Sequence, residues 1–177
     1  IDEKLNILPE SFGNLTNLSQ LYLNFHDITE LPDSFSELTQ LEYLYLSHND
    51  LIEIPEDIGD LSDMILLNLS NNALSFIPES ICQMENLEYL WLYDNVLSAL
   101  PDCICDLSID WDGMDGSYPY FVIGGNQLCS DIPDCIENST HFNSSIEEYY
   151  NFMVTNPQSC GCSIPVNSLS LTEDGRV

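Results

Sequence analysis

Apolar residues return along the chain with a fixed 23-residue period, so that Leu5, Ile28, Leu51, Leu74 and Leu97 hold equivalent places. Inside each period the patterning changes. In Leu41-Glu42-Tyr43-Leu44-Tyr45-Leu46 the leucines alternate with polar or aromatic residues, the period-two signature of a short strand with one buried face. The same string recurs around Leu21 and Leu23, Leu67 and Leu69, and Leu90 and Leu92. Asn49, Asn72 and Asn95 follow the strands, where a side-chain amide can satisfy backbone groups that a tight interior turn leaves unpaired. His26 holds that place in the first copy, which predicts a looser turn there. Pro9, Pro32, Pro55, Pro78 and Pro101 bar a ladder strand on the return side, and the acidic and small residues after them favour one turn of helix.

No single period can bury its own leucines, so neighbours must stack into a curved solenoid with a parallel sheet on its concave face. The string Leu-x-x-Leu-x-Leu-x-x-Asn-x-Leu resembles the leucine-rich repeat family, and the resemblance covers residues 5 to about 136. The second half of each repeat, as in Leu8-Pro9-Glu10-Ser11-Phe12 and Ile77-Pro78-Glu79-Ser80-Ile81, is similar to the form common in bacterial and some protist or plant members. The resemblance implies an α/β solenoid: a right-handed superhelix with a short-stranded parallel sheet inside the curve and an irregular, short-helical convex face.

The expected organisation is a solenoid of about five coils over 1–137, a cysteine-containing cap over 138–162 with a helix around 144–153, and a linker or the start of another domain over 163–177. Ile1 to Leu5 begin in mid-repeat, so the N-terminus is expected to be truncated and the chain to be a fragment. From Leu97 to Leu128 the period stretches to 31 residues, with the surplus in Asp110–Ser117. Carboxylates crowd around glycines in this insertion, which leaves weak calcium binding by Asp110, Asp112 and Asp115 open. Met114 breaks the alternation and no Glu closes the loop, so a solvated loop is the main expectation.

Cys82, Cys103, Cys105, Cys129, Cys135, Cys160 and Cys162 all lie at or near the C-terminal end, as a stapled cap requires, and they point to an oxidising compartment. Equivalent positions in adjacent coils lie about 4.8 Å apart, inside the roughly 4.4 to 6.8 Å that a disulfide needs between Cα atoms. That register predicts Cys82–Cys105 and Cys103–Cys135, with Cys129 meeting Cys160 or Cys162. Zinc is disfavoured because the close pairs Cys103/Cys105 and Cys160/Cys162 have one-residue spacers. Cysteines in this arrangement are similar to the caps of secreted bacterial leucine-rich repeat proteins.

Strand residues between the leucines project from the sheet, and successive coils align them in rows. One row runs Gln20, Tyr43, Leu66, Tyr89 and Tyr120, and the next Tyr22, Tyr45, Asn68, Trp91 and Val122. A third runs Asn24, Ser47, Ser70, Tyr93 and Gly124. Flanked by Glu42, Glu88, Asp94 and His48, these rows predict an aromatic and acidic ligand-binding face. Aromatic rings supply rigid contact area, although strand propensity alone also places them there. Asn68, one of several Asn-x-Ser/Thr triplets, sits on the same face, where a glycan would obstruct ligands.

Composition narrows the partners. The 177 residues carry 30 Asp+Glu against 2 Lys+Arg, a formal charge of −28, and residues 5–175 contain no Lys or Arg at all. Nucleic acid is excluded by repulsion, and no apolar run is long enough for membrane insertion within this fragment. His26, His48 and His141 lack a nucleophile signature around them, and no Gly-rich phosphate loop occurs. Glu42 and Glu88 lie roughly 10 Å apart by strand spacing, but a flat platform offers no water-excluding cleft for glycoside hydrolysis. The sequence therefore predicts a non-enzymatic, cofactor-free recognition module, extracellular or at the cell surface, that binds a protein or glycan on its concave face. The alternative is a structural subunit of a matrix, sheath or filament that self-associates through its solenoid ends.

Overall fold

The computed structural model describes residues 4–115, 118–128 and 132–139. The expected cap helix, Cys129, Cys160, Cys162 and the 163–177 segment lie outside the described residues.

Each Leu-x-Leu string forms a three-residue strand: β1 Gln20–Tyr22, β2 Tyr43–Tyr45, β3 Leu66–Asn68 and β4 Tyr89–Trp91. The insertion forms an antiparallel hairpin of β5 Met114–Asp115 and β6 Tyr118–Pro119, after which β7 Phe121–Val122 completes a five-stranded parallel sheet ordered β1-β2-β3-β4-β7. Equivalent residues pair one to one: Leu21, Leu44, Leu67, Leu90 and Phe121 are successive partners. Leu44, Leu67 and Leu90 have 0% exposure, so the inward face of the sheet is dry and continuous with the core. Within the surplus, Met114 and Asp115 are thus drawn into strand pairing with Pro119 and Tyr118, while Asp110, Asp112 and Asp115 stay exposed to solvent.

The asparagines bind coil to coil. Asn72 accepts the Leu51 N–H at 3.1 Å and donates to the carbonyls of Leu46 and Leu69 at 3.0 and 2.9 Å. Asn49, Asn95 and Asn126 repeat this three-way bond with their own neighbours. His26 supplies only the accepting half, taking the Leu5 N–H on Nδ1 at 3.4 Å, which is the looser turn that the substitution predicts. The residue before each of these positions is left-handed, with φ of 63° at Phe25, 57° at His48, 54° at Asn71, 53° at Asp94 and 70° at Gly125.

On the convex side, 3-10 turns Glu10–Asn14, Asp33–Glu37, Glu79–Gln83 and Asp102–Asp106 begin directly after a proline, as does helix α1, Asp134–Glu137; the shorter turn Ile58–Asp60 starts later. Phe35, Ile58, Ile81, Ile104 and Ile136 point from these turns into the core.

Among the described residues the disulfides are Cys82–Cys103 and Cys105–Cys135, with Cα separations of 6.0 and 5.5 Å, which corrects the Cys82–Cys105 and Cys103–Cys135 pairing. Equivalent residues project in parallel, whereas a bridge needs Cβ atoms that converge. Convergence occurs on a diagonal, between the residue after the buried core position of one turn and the residue before it on the next. Every junction uses that diagonal. A Cβ on Gly13 would lie 2.3 Å from the Ser34 carbonyl oxygen, and one on Gly59 would lie 2.0 Å from that of Ser80. The Ser36 hydroxyl bonds the Asp57 carboxylate at 2.8 Å on the same diagonal. The last two junctions fill it with covalent bonds, so the staples extend a contact that the whole solenoid already makes.

Candidate functional site

The aromatic rows meet the hairpin on the concave face. Tyr22 and Tyr45 stack at 4.7 Å with an 8° interplanar angle, and Tyr89 lies 4.7 Å from Tyr120. The hairpin is held over the sheet by two bonds: the Trp91 indole N–H donates to the Pro119 carbonyl at 2.8 Å, and the Tyr89 hydroxyl donates to the Asp115 carboxylate at 3.2 Å. Tyr118 then stacks on Trp91 at 6.1 Å and 22°. Between the rows and the hairpin lies an open cavity of about 570 Å³, walled by Tyr45, Trp91 and Tyr118 and edged by Glu88 and Asp115. Leu66 forms part of its floor and is only 6% exposed, while Tyr22 and Tyr118 at its rim are each 62% exposed.

Burial, and then the Asp115 carboxylate beside it, push the Tyr89 phenol well above its ordinary range. Burial and the surrounding tyrosines also raise Tyr45. At neutral pH both phenols are protonated, as an ordinary tyrosine already is, and carry no negative charge into the cavity.

Of the sequence-predicted residues, Tyr22, Tyr43, Tyr45, Glu88, Tyr89 and Trp91 are brought together here. Glu42 precedes β2, and its carbonyl accepts the N–H groups of Ile65 and Leu66 at 2.8 and 3.0 Å. His48 and Asp94 lie at the opposite end of the strands on the left-handed turns, where His48 stacks on Phe25 at 4.4 Å. Tyr93 follows the strand end outside the cavity lining, and its carbonyl accepts the Asn71 N–H at 2.8 Å. Asn68 is buried and its amide oxygen accepts the Ser70 N–H, so the folded concave face does not expose its side chain.

Ile65 and Tyr118 also line the cavity and were not singled out by the sequence, whereas Asn24 stood in the third strand row and Asp115 was named only as a calcium candidate. The available signal was Tyr118-Pro119-Tyr120 next to Gly113 and Gly116, an aromatic alternation beside turn residues that suits a hairpin. Asp110, Asp112 and Asp115 do not converge: Asp110 accepts the Asp112 N–H at 3.3 Å, while Asp115 turns to Tyr89. Among the described residues no group of three or more His, Cys, Asp or Glu is placed to hold a metal ion. None of the described helices is long and apolar enough to cross a membrane.

No curated protein sequence matches the chain. Solved structures do. A leucine-rich repeat protein of Leptospira interrogans aligns with a TM-score of 0.61 and 28% identity over 77% of this chain and 33% of its own. The Arabidopsis receptor kinase HAESA, solved with the peptide hormone IDA and the co-receptor SERK1, aligns with a TM-score of 0.62 and 30% identity over 72% of this chain and 21% of its own. The BIR3–SERK2 complex from Arabidopsis thaliana gives 0.55 and 30% over 72% of this chain and 66% of that one. The chain thus spans a third of the length of the Leptospira protein and about a fifth of HAESA. Family models described as leucine rich repeat match residues 4–51, 64–84 and 86–107. With the paired strands, the asparagine bonds and these matches in agreement, the chain belongs to the leucine-rich repeat family.

Proposed function

We propose that the chain is a non-enzymatic protein-recognition module of a secreted or cell-surface protein, and that it takes an extended segment of a partner along its concave face. The observation that carries this reading is the cavity between the aromatic rows and the β5–β6 hairpin. It joins rigid rings, a buried apolar floor and hydrogen-bonding rims, the composition of a protein-binding hot spot. Two disulfides suit an oxidising compartment, and HAESA, similar in fold, was solved with a peptide hormone.

Selecting displayed random peptides against the full chain tests the reading. Enriched peptides are expected to bind the native chain and to lose about tenfold or more in affinity on Tyr45→Ala, a truncation at a ring-lined centre, with circular dichroism unchanged. Enrichment that ignores Tyr45→Ala, or that yields glycan ligands and no peptides in a parallel glycan array, contradicts it.

A further inference from the structure

The cavity has a charge that its own chain leaves unanswered. Glu88 and Asp115 stand at its edge, and residues 5–175 supply no Lys or Arg to pair with them. Lys4, the only Lys or Arg among the described residues, pairs with Asp27 at 2.7 Å. Ring faces turn the same way: Tyr45, Trp91 and Tyr118 line the space, and a ring face is the negative pole of its quadrupole. Protonated phenols at Tyr45 and Tyr89 keep the rings neutral, so the two carboxylates provide the formal charge.

A flat guanidinium fits this combination better than any neutral side chain. Its planar face stacks on aromatic rings while its edge donates to carboxylates, and it is weakly hydrated enough to leave water for such a site. We infer that the concave cavity is selective for a partner segment carrying an arginine, whose guanidinium lies against the cavity-facing parts of the Tyr45, Trp91 and Tyr118 rings while donating to Glu88 and Asp115. This deepens the protein-recognition reading and rests on it. It goes beyond that reading by assigning the anchoring residue type of the partner and the two carboxylates that select it.

The test uses a blocked pentapeptide with one central arginine among alanines and serines, and its citrulline twin, which keeps the shape and loses the charge. Both are titrated into the isotope-labelled full chain at about 150 mM salt, where long-range attraction to the acidic surface is screened. The signal followed is the Trp91 indole N–H, assigned with Trp91→Phe. The arginine peptide is expected to shift that signal saturably and to bind about tenfold tighter than the citrulline peptide, an effect in the range of a desolvated cation–ring contact. Glu88→Gln, which leaves the Tyr89–Asp115 bond intact, is expected to weaken the arginine peptide about threefold. Glu53→Gln with Glu56→Gln, on another face, is expected to change nothing.

Equal binding of the two peptides overturns the inference while leaving peptide recognition standing. Arginine binding that falls as much with Glu53→Gln and Glu56→Gln as with Glu88→Gln also overturns it, since the attraction is then diffuse. If neither peptide moves the Trp91 signal at millimolar concentration, arginine selection fails, and the broader reading is judged by its own selection experiment.

Discussion

At the residue scale, the fold turns on side chains that satisfy backbone groups where coils meet. Asn95 is buried and joins three backbone partners, Leu74 N–H and the Leu69 and Leu92 carbonyls, at 3.0 Å each. Asn95→Ala removes those bonds and strands buried polar groups, so urea denaturation is expected to show a loss of about 2–3 kcal/mol. His26→Asn is expected to raise the midpoint slightly, because an amide can also donate to the Leu23 carbonyl of its own coil, as Asn49 does to that of Leu46. No change on Asn95→Ala would mean that the coils are held by apolar burial alone. These asparagines were legible in the sequence because their role depends only on position in the repeat. Phe25 and His48 on left-handed turns were less so, since bulky residues seldom take positive φ and nothing local marks them. Mutual stacking of those two rings covers part of Phe25, which nonetheless stays 65% exposed.

Among elements, register proved readable and direction did not. The pairing of Tyr43 with Leu66 and of Leu66 with Tyr89 follows from the period, because a parallel sheet of equal coils has no other alignment that keeps leucines inside. The same period places Cys82 beside Cys105, yet it does not say which way a side chain leaves a 3-10 turn. That is why the diagonal bridges were missed. The β5–β6 hairpin was missed for a related reason: eight surplus residues say how much chain there is, while their fold over the sheet depends on bonds to Trp91 and Tyr89 from distant coils. The Cys82–Cys103 bridge closes a short loop on a contact the solenoid already favours, with a sequence separation of 21. Cys82→Ser combined with Cys103→Ser is expected to lower stability by about 2–4 kcal/mol in thermal or urea unfolding while leaving peptide binding at Tyr45 unaltered. Loss of binding in a folded double variant would show that the convex staple shapes the concave site.

For the whole molecule, stacking and charge act against each other. A formal charge of −28 with no Lys or Arg from residue 5 to 175 makes the coils repel one another, and the continuous core, the backbone ladders, the asparagine bonds and the disulfides oppose that. The same imbalance underlies the proposed preference of the concave face for an arginine-bearing segment, so one compositional feature bears on both stability and the proposed recognition. The aromatic half of the site could be read from rows at a fixed period. Its lid and its second carboxylate, Asp115, could not, because they reach the site only through tertiary folding of the insertion. The most direct measurement of the central claim, that stacked coils and the hairpin together form the recognition site, is residue-resolved hydrogen exchange of the full chain with and without a selected peptide. The expected result is slowed exchange at Tyr118, Tyr120 and the β2 and β4 amides, with the convex turns Asp33–Glu37 and Glu79–Gln83 unchanged. Protection confined to those convex turns, with the hairpin untouched, would contradict the account.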